Sequence, residues 1–199
     1  MTEFVHLSVH SEYSLVDSVV RVKPLVEKAR ELGMSALALT DLGNVSAMVK
    51  FYRATIEQGL KPILGADLWI ADSRNDSDPT RLTLLCANRL GFRNLSRLLT
   101  DSHLKGYAHG RAVVLKEWLH RDALEGLLAL SGAQHGELGR ALASHQPARA
   151  GDVLDAWSTR MPGRFYIEVQ RLGRAGENEY LQRVVELAAA RSVPLVATN

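Results

Sequence analysis

The 199-residue chain has a single cysteine, Cys86, so no disulfide can form within it. Cys86 lies in the apolar run "LTLLCA", where a thiol packs as a small inert hydrophobe and favours a reducing, cytoplasmic compartment. Long apolar runs are missing as well. "SALAL" and "LLAL" fall far short of the roughly 20 residues that cross a bilayer, so no membrane partner is expected. Glu3 and His6 interrupt the start, which therefore shows no secretory leader. Nor is there an excess of one charge: 24 Lys and Arg face 22 Asp and Glu, a net charge of +2. Nothing in that balance calls for a polyanionic partner. Arginines recur between Arg81 and Arg121, in a pattern that reads as a solvated helix face. Aromatics are few, at 6%, and neither an internal repeat nor a low-complexity linker breaks the chain.

What remains is core-forming sequence, 46% hydrophobic and 23% charged, which is enough for one domain spanning residues 1–199. Short β-type runs alternate with helical periodicity, the pattern of an α/β fold with a mainly parallel sheet. The runs Phe4–Val9, Ala36–Leu39, Pro62–Ile70, Arg81–Ala87, Gly126–Leu130, Phe165–Val169 and Pro194–Thr198 are predicted strands. A helix starts near Pro24, shares Leu25, Val26, Ala29 and Leu32 on one face and stops at Gly33. The next runs from Asn44, as N-cap, to Gly59. Further helices are predicted over Asn94–Ser102, Gly136–Ala143, Gly151–Thr159 and Asn178–Arg191. Seven strands with intervening helices suggest a (β/α)7 barrel, with an open doubly wound sheet as the alternative. "ADSRNDSDPTR" reads as an exposed loop and "KGYAHGR" as a flexible basic turn. "PLVATN" stops directly after a strand, as expected of a boundary within a longer chain.

The chemistry-bearing residues gather at strand ends. In "FVHLSVHSEYS", alternation puts Phe4, His6, Ser8 and His10 on one face. The two histidines stand about 13 Å apart along an extended strand, too far to share one ion. Asp41 follows "LALT", Asp67 ends "KPILGAD", and Asp17 lies in the loop after the first strand. Carboxyl ends of strands are where parallel α/β folds build sites, although each of these acids alone is also an ordinary cap or turn residue. His103, His109, His120, His135 and His145 have no ligand spacing and read as structural or solvent-facing. Trp118 and Trp157 are candidates for partner contact or for finishing the core.

Taken together, "FVHLSVHSEYSLVDS", "ALTDLGNVSAMVKFY", "GLKPILGADLWI", "RLTLLCANRLGFRNLSRLL", "LLALSGAQHGEL" and "FYIEVQRLGRAGENEYLQRVVELA" resemble, in order and spacing, the PHP (polymerase and histidinol phosphatase) domain that opens bacterial DNA polymerase III alpha subunits. The resemblance spans essentially the whole chain. It implies a distorted seven-stranded barrel whose active members hold metal ions at strand ends for phosphoester hydrolysis or proofreading. For the parent chain it implies DNA-directed DNA synthesis with Mg at a polymerase domain not included here. It also implies a proofreading exonuclease (epsilon) partner and the rest of the polymerase holoenzyme.

The departures from the family pattern are as telling. Ser8, Leu42, Arg81, Ala133 and Leu172 stand where the resemblance implies ligands: histidines at Ser8, Leu42, Arg81 and Leu172, a cysteine at Ala133. Asp67 replaces a glutamate. An Asp-x-His pair would lie beyond Asn199. Vestigial metal-site positions remain at His10, Asp17, Asp41 and Asp67, with only His10, Asp17 and Asp67 matching ligands. A multinuclear cluster needs more donors than that, and a fixed guanidinium repels divalent ions. The expectations are therefore no bound metal, no catalytic residue in this span, and Arg81 paired with Asp67, Asp17 or Asp41. A residual metal-dependent phosphoesterase and a nucleic-acid-binding module are the alternatives.

Overall fold

In the computed structural model, which describes residues 4–198, one mixed sheet of eight strands is flanked by six α-helices. The strands are β1 (Ala36–Leu39), β2 (Lys61–Ala71), β3 (Thr80–Cys86), β4 (Tyr107–Ala108), β5 (Arg111–Leu115), β6 (Leu127–Leu130), β7 (Phe165–Gln170) and β8 (Leu195–Thr198). The helices are α1 (Val22–Glu31), α2 (Met48–Glu57), α3 (Arg89–Leu104), α4 (Glu137–Ala143), α5 (Pro147–Arg160) and α6 (Glu177–Arg191).

The long strand β2 organises the sheet. One edge takes β1 along Lys61–Leu64 and then β5 along Trp69–Ala71, both parallel; the other edge takes β3, antiparallel, along Gly65–Ile70. From β3 the sheet continues through antiparallel β6 to parallel β7 and β8. The expected closed seven-stranded barrel is thus corrected: the sheet has eight strands and stays open, and its pairings are mixed, four parallel and three antiparallel. The antiparallel step arises because the polar loop at residues 72–79 returns the chain directly, with no crossover helix to reverse it.

The first predicted strand is also revised. Residues 4–10 run extended beside β1, with Ala38 and Thr40 N–H donating to His6 and Val9 carbonyls at 2.9 and 2.8 Å. The Val9 N–H, however, donates to the Thr40 hydroxyl. A side chain intercepts the ladder there, so no regular strand forms. "KGYAHGR" is a β4–β5 hairpin rather than a flexible turn. Tyr107 pairs with Ala112 and Ala108 with Arg111, around His109 and Gly110 at φ 50 and 76, the positive angles a two-residue hairpin turn requires. Helix α2 starts at Met48, because Asn44 caps the preceding turn at Ser46 N–H instead.

The main core lies between the sheet and α3–α6, where Leu84, Leu95, Leu127, Leu138 and Leu154 are fully buried, each worth about 1.5–3 kcal/mol of transfer free energy. Trp157 belongs to this core, stacked on Phe165, and Trp118 packs against it. A smaller cluster of Ala38, Leu85 and Leu130, with Leu7, Ile63 and Val196 against it, lies on the other face of the sheet. That face also carries the polar residues Asp67, Thr83 and Arg81.

Candidate functional site

Alternation along β2 puts Asp67 and Trp69 on the same face as Leu85, and the antiparallel register sets Asp67 opposite Thr83 and Trp69 opposite Arg81. Asp67, Arg81 and Thr83 form the floor of a cleft of about 520 Å³. Its walls come from the extended N-terminal segment (His6, Ser8, His10), the following loop (Asp17, Ser18), the turn after β6 (Gly132, His135), and β7 with its loop (Glu168, Leu172, Arg174).

Arg81 is the fixed cation of the cleft. Its Nη1 donates to Asp67 Oδ2 at 2.5 Å, and its guanidinium lies 3.9 Å from the Trp69 ring centroid. Arg111 stands 5.0 Å from the same ring. The expected pairing of Arg81 with a cleft carboxylate is therefore present, and Asp67 is the partner. Behind Arg81, Gly132 (φ 76) presses on the β3 backbone: an added Cβ would meet the Arg81 carbonyl oxygen at 2.4 Å. The next residue, Ala133, is buried at φ 46.

His10 bridges two acids. Nδ1 contacts Asp17 Oδ2 in a short hydrogen bond. Nε2 lies 3.3 Å from Asp67 Oδ2 but is not aligned for a hydrogen bond, so that contact is one of charge. Burial, the largest single influence, pulls the His10 pKa down, yet Asp67 and Asp17 together outweigh it and the pKa is raised. Glu168 is buried, accepting from the Thr198 hydroxyl at 2.5 Å and Gln170 Nε2 at 3.2 Å. Burial foremost, with the Asp67 charge added, pushes its pKa up. Across the cleft Arg174 meets His135 Nε2 at 2.9 Å. Burial, then Arg174, Arg81 and Arg140, lower the His135 pKa.

His10, Asp17 and Asp67 are thus brought together, with Ser8, Arg81 and Leu172 beside them. Asp41 is not. It is buried and turned away, accepting from Ser11 N–H at 2.6 Å, from the Ser11 hydroxyl at 2.8 and 3.0 Å, and from the Ser14 hydroxyl at 2.7 Å. Asp41 fixes the loop that carries Asp17 and contributes no donor to the cleft. Leu42, bridged to Asp67 along the backbone, lies outside the cleft lining, as does Ala133. Glu168, Thr83 and Arg174 were not singled out in the sequence; the only hint was the acid inside the apolar strand "FYIEV". His135, read there as structural or solvent-facing, is solvent-exposed but lines the cleft.

Among the described residues, no three His, Cys, Asp or Glu side chains are grouped to hold a metal ion. With Asp67 already bonded to a guanidinium, the residues present do not fit a multinuclear metal centre. The same described residues include no helix long and apolar enough to cross a membrane.

Known proteins give this geometry its context. The chain is 45% identical over 196 residues to the DNA polymerase III subunit alpha of Pseudomonas aeruginosa and 41% identical to that of Escherichia coli K12. Each alignment covers 98% of this chain and 17% of the relative, so the chain spans about a sixth of the length of these curated relatives. In fold it is similar to a candidate metal-dependent phosphoesterase from Bifidobacterium adolescentis, with a TM-score of 0.63 at 13% identity, covering 98% of this chain and 85% of that one. An amidohydrolase from Chromobacterium violaceum, with bound sulfate and no metal, also gives a TM-score of 0.63, at 11% identity, covering 98% and 86%. The PHP domain model matches residues 6–172, and the chain belongs to the PHP domain family.

Proposed function

We propose that this chain is the PHP module of a replicative DNA polymerase III alpha subunit and has no hydrolytic activity of its own. The observation that carries the reading is the Arg81–Asp67 ion pair, which places a permanent cation in the cleft and occupies a carboxylate that a metal would need. The identity shared with two alpha subunits over 98% of the chain supports its place in such a protein. The parent chain would carry out template-directed DNA synthesis in the cytoplasm, using Mg²⁺ at a polymerase centre outside these residues. Within it, the PHP module is a scaffold that docks the separate proofreading exonuclease subunit and contacts the rest of the holoenzyme.

The gathering of His10, Asp17 and Asp67 in one cleft favours a second reading, a residual metal-dependent phosphoesterase, in which a bound metal would polarise a phosphoryl oxygen. One pair of assays separates the two. As a scaffold, the chain forms a stable complex with the exonuclease subunit by gel filtration, with or without chelator. It also leaves a thymidine-monophosphate nitrophenyl ester unhydrolysed in Mn²⁺ or Zn²⁺. Metal-stimulated hydrolysis that disappears in His10→Ala would establish the enzyme instead.

A further inference from the structure

The cleft offers hydrogen-bonding groups of both kinds that the protein itself leaves open. Arg81 engages Asp67 through Nη1, and among the described residues its Nε and Nη2 make no hydrogen bond. Stacking on Trp69 holds the guanidinium, and with it these donors, in place within the cleft. Arg174, exposed at the rim, donates once, to His135 Nε2 at 2.9 Å. Burial, and then the Arg174 and Arg81 charges, hold the His135 pKa down. Both guanidinium groups therefore stand near one ring and can grip one ligand. The acids beside them supply acceptors. Among the described residues, Asp17 Oδ1 has no partner, its other oxygen being taken by His10 Nδ1. Asp67 Oδ1 has only a long bond, 3.4 Å from the Thr83 hydroxyl. His10 Nε2 is buried with no hydrogen-bond partner, a state that is costly to leave uncompensated.

We propose that this cleft binds, without any metal, a phosphate group that still carries a proton, either free or in a small monoester. The bare phosphate oxygens accept from the open N–H groups of Arg81 and Arg174, and the P–OH donates to Asp17 or Asp67. A group that both donates and accepts also satisfies His10 Nε2 whichever protonation state the ring holds. Sulfate has the same shape but no proton to give, so each carboxylate would face a bare anionic oxygen. The mixture of arginines and acids thus selects phosphate over sulfate, where arginines alone would take both. At about 520 Å³ the cleft also has room for the organic part of a monoester, within the range of roughly 300–1,000 Å³ of small-ligand sites. The inference rests on the metal-free reading of the cleft given above and adds a ligand to it.

The test is calorimetric titration in EDTA, near the second phosphate pKa of about 6, with inorganic phosphate, phenyl phosphate and sulfate as probes. Phosphate or its ester should bind saturably and roughly tenfold or more tighter than sulfate. The tighter of the two identifies the free ion or the monoester as the source. Arg174→Gln should weaken that binding about tenfold, the loss of a charge-assisted hydrogen bond. It should unfold at the wild-type temperature, because Arg174 is exposed. Asp17→Asn should narrow the preference for phosphate over sulfate, since an amide can donate to sulfate; a merely structural role would leave that ratio unmoved. Equal binding of sulfate, or binding undiminished in Arg174→Gln, would overturn the proposal. No binding with or without Mn²⁺ would overturn it alone, whereas binding that needs Mn²⁺ would overturn the metal-free reading of the cleft as well.

Discussion

Arg81 and Asp67 pair diagonally across adjacent strands, Nη1 to Oδ2 at 2.5 Å, with 15% and 11% of their side chains exposed. Removing one partner of so enclosed a pair strands the other charge, a loss of about 3–5 kcal/mol. Arg81→Ala should therefore lower the urea midpoint substantially. Arg81→Lys should fall between, keeping the charge but losing the flat contact with Trp69. Arg81→Met with Asp67→Asn should recover much of the loss, because neither charge is then left alone. A single variant that unfolds at the wild-type midpoint would show the pair to be incidental.

Asp41 does structural work that its position after a strand does not reveal. Its carboxylate accepts from Ser11 and Ser14, and hydrogen bonds to a charged group contribute about 1.5–3 kcal/mol. Asp41→Ala is expected to destabilise the fold by roughly that amount or more and to speed amide exchange in the Ser11–Asp17 loop ahead of the rest. Uniform exchange across the molecule would argue against a local anchor.

Stability should fall as the solution becomes more alkaline through two windows, one opening above pH 4.5 for Glu168 and one above pH 6.5 for His10. The His10 pKa is raised from 6.5, so the folded state holds a proton that the unfolded chain releases. That contribution is fully present below about pH 6.5 and is lost as pH rises through the folded value. Glu168 is also raised, from 4.5, so its share is lost on charging above the ordinary carboxylate range. His10→Gln should flatten the upper part of the pH–stability curve and Glu168→Gln the lower part. Curves parallel to wild type in both variants would show that neither group is coupled to folding.

Gly132 reports on backbone fit. Alanine there is strained by its φ of 76 and would collide with the Arg81 carbonyl oxygen, so Gly132→Ala should cost more than the roughly 1 kcal/mol of an ordinary αL substitution. Denaturant unfolding measures this. A neutral effect would mean that the turn moves freely against β3.

Local signals in the sequence carried most of the helices and six of the eight strands, but not how they join. The sequence pattern places α3 only from Asn94, five residues after its actual start at Arg89. In the fold, Asn88 caps it and Gly91 is required because a Cβ would collide with Gly126 at 1.9 Å. The two-residue strand β4 is too short to show alternation. Asp41 looked like a member of the cleft because its hydroxyl partners, Ser11 and Ser14, lie about 30 residues away in sequence. Glu168 went unnoticed because only tertiary burial distinguishes it from an ordinary strand residue. Arg81 was legible because the family resemblance gave that position an expected histidine, and a cation among acids has one natural partner.

The emptied cleft is best tested by titrating zinc and manganese into the metal-free protein by calorimetry, alongside Ser8→His/Arg81→His. Wild type should show no stoichiometric site, while the double variant gains measurable zinc affinity beside His10 and Asp17. Tight one-to-one metal binding by the wild-type chain, abolished in His10→Ala, would contradict the replacement of metal by Arg81.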